Sequence, residues 1–243
     1  MESWLSRTEM LIGEEKLSVL KSSNVLVVGL GGVGSWAAEM LCRSGIGSMT
    51  IVDGDVVSFS NRNRQLPALI SAEGKYKADV LGARLLDINP ELNLTIIKEF
   101  IRGERIVEIL DCGFDYVVDA IDMLSPKVYL IYHTVAKKIP LVSSMGSGGK
   151  TDPALVTVSD ISETVNCSLA RMIRKRIHRM GIREGFTAVW SPEIVDKSKV
   201  ITITGEQNKA SVVGTISYMP ALFGISCASA VIRGLAGIGK AKK

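Results

Sequence analysis

No two cysteines in this sequence are spaced to hold zinc or run a dithiol cycle: Cys42, Cys112, Cys167 and Cys227 stand alone. The absence of a C-x-x-C pair points to reduced thiols and a cytoplasmic protein. Histidine is scarcer still. His133 and His178 both fall in predicted helices, and neither offers itself as the acid of a hydride transfer. Low-complexity segments and long-period repeats are absent, which removes linkers and solenoids from consideration. The opening stretch "MESWLSRTEMLIGEEKL" has no basic start, no unbroken apolar core and no small-residue cleavage site, so it does not read as a signal peptide. Charge of either sign is missing from residues 212–232, "VVGTISYMPALFGISCASAVI". Their length could cross a bilayer. Pro220, Gly214, Gly224 and the interspersed hydroxyl residues favour instead a helix buried against a sheet or a partner subunit, and no integral membrane span is expected.

What is present describes an α/β protein. The 243 residues are 47% hydrophobic, enough for a large core, and the formal net charge of +4 permits a polyanionic partner without demanding one. Residues 8–20 read as an N-terminal helix with Leu11, Ile12 and Leu17 on its apolar side. "NVLVVGL", "SMTIVDGD", "LTIIKEF", "FDYVVDAID" and "IPLVSSMG" are apolar runs of strand length, alternating with helices at 35–43, 72–88, 103–111 and 126–138. Such alternation implies a Rossmann-like, doubly wound, mostly parallel sheet covered on both faces. After "GSGGKTDP" the rhythm changes. "ALVTVSDIS" and "GFTAVWSPE" look like further strands around a basic helix at 165–180, and residues 192–211 read as a polar loop. The expected organisation is one domain over 1–243. Its nucleotide-binding core would be 1–150, and 151–243 a C-terminal extension that completes the sheet and supplies a substrate or dimer surface.

The chemistry-bearing residues fall at the ends of strands. "GLGGVG" carries G-x-G-x-x-G as Gly29, Gly31 and Gly34, with Gly32 between them. Glycine lets backbone approach phosphate, and the following helix N-terminus favours negative charge. Asp53 ends the next strand and can accept hydrogen bonds from ribose hydroxyls, which suits NAD and ATP equally. Asp55 reads as a turn residue of the same cofactor site. "SNRNRQL" then supplies Asn61, Asn63, Arg64 and Gln65, with Lys75 and Lys77 soon after. A dehydrogenase needs no such arginine beside its cofactor. A triphosphate does, because guanidinium holds phosphate oxygens with paired hydrogen bonds. Asp122, a carboxylate expected among phosphates, points to an intervening cation such as Mg2+, whereas Asp119 could close its own strand.

Together "GLGGVGSWAAEML", Asp53, "SNRNRQ", Lys77 and "DAID" resemble the ThiF/MoeB/ubiquitin-activating superfamily of adenylating enzymes. "SRTEMLIGEEKL", "NRNRQLPAL", "VVDAIDMLSPK", "IPLVSSMGSGGKTDP" and "WSPE" look like its tRNA threonylcarbamoyladenosine dehydratase branch. That resemblance implies ATP and Mg2+. It implies activation of a carboxylate on modified tRNA, and its cyclisation to a hydantoin-type ring with loss of water. The nucleotide product, AMP or ADP, stays open at this point. By matched position, Asp53 resembles the ribose-binding acid, Asn61, Arg64 and Lys77 the phosphate holders, and Asp122 the metal ligand. Arg7 resembles an arginine that reaches the neighbouring subunit's ATP, which implies a homodimer. Arg171, Arg174, Lys175, Arg176 and Arg179 of the basic helix become candidates for tRNA phosphate contact. A monovalent cation beside "GSGGK" and a sulfur-transfer protein partner are further candidates. The alternative within the superfamily is an adenylating enzyme for a ubiquitin-like sulfur carrier, against which the missing cysteine pairs count. Ala188 stands where some dehydratases would place a cysteine, and Cys167, at a predicted helix start, resembles a structural residue more than a nucleophile.

Overall fold

The structure is a computed structural model that describes residues 3–196, 198, 200–202 and 211–239. Seven strands form one sheet. In chain order they are β1 (Asn24–Val28), β2 (Ser48–Val52), β3 (Asn93–Ile97), β4 (Tyr116–Asp119), β5 (Leu141–Ser144), β6 (Thr157–Asp160) and β7 (Thr187–Trp190). Their spatial order is β3-β2-β1-β4-β5-β7-β6. Every neighbouring pair is parallel except β6 with β7. This is the mostly parallel, doubly wound sheet expected from the alternation. Strand order reverses between β1 and β4, and the carboxyl ends of those two strands therefore open a crevice. A separate two-stranded ribbon pairs β8 (Val200–Thr202) with β9 (Ser211–Val213).

The helices divide between the two faces. They are α1 (Ser6–Ile12), α2 (Glu14–Ser22), α3 (Gly34–Arg43), α4 (Lys77–Ile88), α5 (Glu104–Leu110), α6 (Leu124–Ala136), α7 (Ser168–Arg179) and α8 (Tyr218–Leu235). One core joins Val25, Val27 and Ile51 of the sheet to Leu41 of α3, Leu81 of α4 and Phe223 of α8. The other joins Leu26, Val28 and Val117 to Ile106, Ile131 and Ile173 of α5, α6 and α7. Successive residues of β1 thus serve opposite faces, as the two-residue strand period requires.

Several expectations need correction. The helix expected over 8–20 is two helices, because Gly13 sits at φ +86° and its N–H closes α1 on Glu9 O. The break leaves Leu11 84% exposed while Leu17 is buried. The helix expected over 72–88 begins at Lys77, after a 3-10 turn at Ile70–Ala72. The loop expected at 192–211 contains β8 at Val200–Thr202 and the first residue of β9, and 197, 199 and 203–210 lie outside the described residues.

The uncharged run forms α8, long and apolar enough to cross a membrane by length and composition. Its Met219, Phe223, Cys227 and Val231, spaced for one face of a helix, are instead buried in the core. Gly224 brings α8 onto α3: a Cβ built there would lie 2.3 Å from Val33 O and 2.8 Å from Trp36 Cβ. Gly224→Val should therefore force the two helices apart, at a cost of about 3 kcal/mol or more. A thermal unfolding midpoint equal to that of the parent protein would contradict this packing account.

Candidate functional site

Three strand ends meet at the β1/β4 crevice, and short bonds tie them together. Gly29 N donates to Val52 O at 2.9 Å, and Ala120 N donates to Val28 O at 2.8 Å. Gly29 has φ +88°, a conformation natural to glycine. A Cβ on it would stand 2.7 Å from Ala120 O, and one on Gly34 would stand 1.7 Å from Gly29 O. These two glycines make the turn and its contact with β4. Gly32 is closed in on its Cβ side. Its would-be Cβ lies 2.9 Å from Pro220 Cβ and 3.4 Å from Arg64, so the turn is backed by α8. Gly31 alone faces open room, with only the Gln65 side-chain amide at 3.7 Å or beyond. It is the backbone position that a ligand can approach, beside the N-terminus of α3, where no side chain caps the helix.

Asp53 anchors the second strand end. Its Oδ2 accepts from Leu30 N at 2.6 Å and its Oδ1 from Asp55 N at 2.7 Å. Burial pushes its carboxyl pKa up; the Lys77 charge and those two N–H groups oppose the push without cancelling it. Each oxygen retains a lone pair for a hydroxyl donor. Lys77, 4% exposed, places Nζ 2.8 Å from Asp55 Oδ2. The ammonium is thus fixed by Asp55 at the mouth of the crevice, and Asp55 holds a cation in addition to its place in the turn.

The "SNRNRQ" segment folds over the same opening. Asn61 is buried and spends its Oδ1 on Ser58 N, at 3.2 Å, closing a capping box around the 3-10 turn Phe59–Asn61. Arg64 Nη1 donates to Ser60 O at 3.1 Å and Asn63 Oδ1 at 2.9 Å. Burial pushes the Arg64 pKa down, and the negative charge of Asp122 opposes that push. Asn63 Nδ2 also donates to Thr215 O at 3.0 Å, joining this segment to the stretch before α8. Gln65 was named in the sequence as part of this motif but given no role of its own. Its Oε1 is the one buried side-chain oxygen without a hydrogen-bond partner among the described residues. The Gln65 side-chain nitrogen is the atom nearest the open side of Gly31, and its buried oxygen, left unpaired, is costly until a donor arrives.

These features fit a nucleoside triphosphate: a ribose-directed carboxylate, an open glycine backbone, a guanidinium, an ammonium and an orphaned acceptor. They also accommodate Mg2+ held mainly by phosphate oxygens. Asp122 is an exposed carboxylate at the rim, and no group of three or more His, Cys, Asp or Glu side chains gathers among the described residues.

Other candidates are placed elsewhere. Arg7 is exposed on α1, whose neighbour Leu5 packs on Gly45 near the amino ends of the strands, so it does not join this crevice within one chain. On α7, Arg171, Lys175 and Arg179 are exposed at successive four-residue steps, and Arg176 Nη1 donates to Ser125 Oγ at 3.2 Å. Arg174 is placed differently from these three. Its guanidinium is turned inward and donates to Thr164 O at 2.7 Å and to Thr164 Oγ1. Near "GSGGK", Lys150 is buried and donates to Ser191 O and Glu193 O, both at 2.9 Å, so its ammonium occupies this carbonyl pair.

Fold and site define a nucleotide-binding α/β protein built to hold phosphates rather than to transfer hydride. The chain belongs to the ThiF family, whose pattern matches residues 5–243. It is 44% identical to the tRNA threonylcarbamoyladenosine dehydratase of Bacillus subtilis over 188 residues, 77% of this chain and 74% of that protein. It is 41% identical to the Escherichia coli protein of the same name, covering 72% of this chain and 67% of the other. In structure it superposes on the E. coli dehydratase TcdA in complex with ATP with a TM-score of 0.88, at 33% identity, covering 98% and 96% of the two chains.

The glycine geometry makes a paired prediction. Gly31→Ala should leave the melting temperature close to that of the parent protein but weaken binding of added ATP. Gly34→Ala should lose the fold itself, because its Cβ has no room. Equal effects of the two substitutions on melting temperature would refute the division of labour.

Proposed function

We propose that this protein uses ATP to dehydrate threonylcarbamoyladenosine in tRNA to its cyclic hydantoin form. The observation that carries the proposal is the likeness to tRNA threonylcarbamoyladenosine dehydratases, over 77% of the chain in sequence and 98% in structure. The physical requirements match. A carboxylate is a poor acyl donor, since its leaving group would be oxide. Attack of the substrate carboxylate oxygen on the α-phosphorus, with departure of pyrophosphate, gives an acyl adenylate and so a good leaving group. The ureido nitrogen of the same substituent then forms a bond to the carbonyl carbon, AMP departs, and the nitrogen's proton passes to solvent. Because nucleophile and carbonyl share one substituent, the ring closure gains a high effective concentration. It needs no cysteine of the protein, consistent with Ala188 in β7 and with Cys167 buried at the start of α7.

The chain's own residues divide this work. Asp53 would orient the ribose, and Gly31 with the N-terminus of α3 would receive phosphate oxygens. Arg64 and Lys77 would offset the charge that develops as pyrophosphate leaves. Asn61 supports the segment that carries Arg64. Asp122 would hold Mg2+, which supplies further charge neutralisation when bound. The exposed line Arg171–Lys175–Arg179, with Arg176 reaching Ser125 three residues beyond Asp122, suits tRNA phosphates led toward the crevice. A homodimer would bring the partner subunit's Arg7 to the site; the exposed Met10 and Leu11 beside Arg7 on α1 support such a contact. Reduced thiols at Cys42, Cys112, Cys167 and Cys227 suit a cytoplasmic location. A monovalent cation and a sulfur-transfer partner remain candidates that the family resemblance alone suggests. The sulfur-carrier alternative is weaker: likeness to a molybdopterin-synthase adenylyltransferase of Haemophilus influenzae, at 35% identity, covers 54% of this chain.

Incubating purified protein with threonylcarbamoyl-modified tRNA should convert the modified nucleoside to a product lighter by one water, only when Mg-ATP is present. An unchanged nucleoside spectrum with folded, ATP-binding protein would overturn the assignment. Arg64→Ala should abolish this turnover without loss of fold, and near-normal turnover would remove Arg64 from the mechanism. Reversing Arg171, Lys175 and Arg179 to glutamate should raise KM for tRNA by at least about tenfold and flatten its salt dependence. KM for ATP should stay the same, and an unaltered salt slope would clear α7 of contact with tRNA.

A further inference from the structure

Beneath the crevice lies a buried charge pair that the proposed chemistry does not use. Lys127 of α6 and Asp119 at the end of β4 are both 0% exposed, with Nζ and Oδ2 2.8 Å apart. The bonds of the pair converge on one short turn. Lys127 Nζ donates to Ile121 O at 3.0 Å and approaches Asp119 O at 3.5 Å. Asp119 Oδ1 accepts from Ile121 N at 3.1 Å, and Ser143 Oγ of β5 donates to Asp119 Oδ2 at 2.6 Å. Both polar backbone groups of Ile121 are thereby clamped, one by each member of the pair. Residue 122, the next in the chain, is the rim carboxylate. Residue 120 is the alanine against which the glycine turn closes, through its O toward Gly29 and its Cβ toward Gly34.

Stability does not account for this arrangement. A buried ion pair is commonly no more stabilising than apolar side chains of similar volume, because desolvation offsets the attraction. The surroundings are strongly desolvating: the thiol of Cys227 on α8, electrostatically coupled to both members, is pushed up to about 12 by burial. What such a pair does supply is resistance to displacement. Moving the turn would separate two charges where no water can take over their bonds.

We propose that Lys127 is a positioning residue for the nucleotide site. Acting through Asp119 and Ile121, it fixes the turn that presents Asp122 to a metal-bound triphosphate and braces the glycine turn beside it. The inference rests on the ATP reading of the crevice.

Direct binding measurements test it without tRNA. Full-length protein would be titrated with ATP at a series of Mg2+ concentrations, and separately with adenosine in the absence of metal. The double variant Asp119→Asn, Lys127→Met removes both charges together and leaves no buried charge unpaired. It should raise the Mg2+ concentration needed for half-saturation by ATP about tenfold. Adenosine affinity, governed at the Asp53 end, should change by less than about twofold. A variant with a lowered melting temperature but an unaltered Mg2+ requirement would overturn the proposal and leave the pair a packing feature. Should the double variant not fold, Ser143→Ala removes one bond to Asp119 and keeps the pair. It should raise the Mg2+ requirement in the same direction by a smaller factor, and no change would overturn the proposal. If the parent protein itself binds adenosine but shows no Mg-ATP binding, the ATP reading falls and takes this inference with it, an outcome distinct from failure of the variants alone.

Discussion

The nucleotide crevice exists because β1 and β4 end in contact with almost nothing between them. Gly29 and Gly34 carry no side chain where one would strike Ala120 and the turn's own carbonyl. Everything proposed for the site is measured from that contact. It lets the amino end of α3 face the switch in strand order, sets Asp53 within hydrogen-bond reach of Leu30 N, and puts the charge of Asp122 where Arg64 feels it. A ligand spanning these groups meets charge of both signs already arranged, so little reorganisation is left for the moment of reaction.

Support for this contact comes from three directions. The ladder bonds at the ends of β1, β2 and β4 register the strands. The Asp119–Lys127 pair holds the β4 side from within. Pro220 backs Gly32 from α8, while Asn63 reaches Thr215 and ties the arginine segment to the same stretch of chain. The C-terminal part of the sequence is therefore a wall of the nucleotide site as well as an extension of the sheet.

Much of this was legible in the sequence, for identifiable reasons. Buried parallel strands read as unbroken apolar runs, so "NVLVVGL", "SMTIVDGD" and "YVVDAID" located their carboxyl ends, and with them the glycines, Asp53 and Asp122. What escaped depended on partners distant in the chain. Lys127 falls at the helical spacing of the buried Leu130, Ile131 and Thr134, but only the position of Asp119 at the end of β4 gives its charge a partner there. Arg174 looks equivalent to Arg171 and Lys175 until Thr164 claims its guanidinium. Gln65 was visible within a motif, but its unpaired oxygen is a property of the packed crevice. Leu11 continued a helical stripe that Gly13 interrupts, and one glycine outweighs a periodicity when the backbone turns to positive φ.

The contact between Gly32 and Pro220 also bears on how the molecule is made. It joins a turn near the start of the sheet to a helix that follows all of its strands. Closing so long a stretch of chain is entropically slow compared with forming the β-α-β unit that contains the glycines. During synthesis the phosphate turn emerges early and lacks its backing until α8 has emerged and docked on α3. The catalytic crevice is therefore a late product of folding, and the chain acquires its capacity to grip a nucleotide only after nearly all of its apolar surface has been hidden.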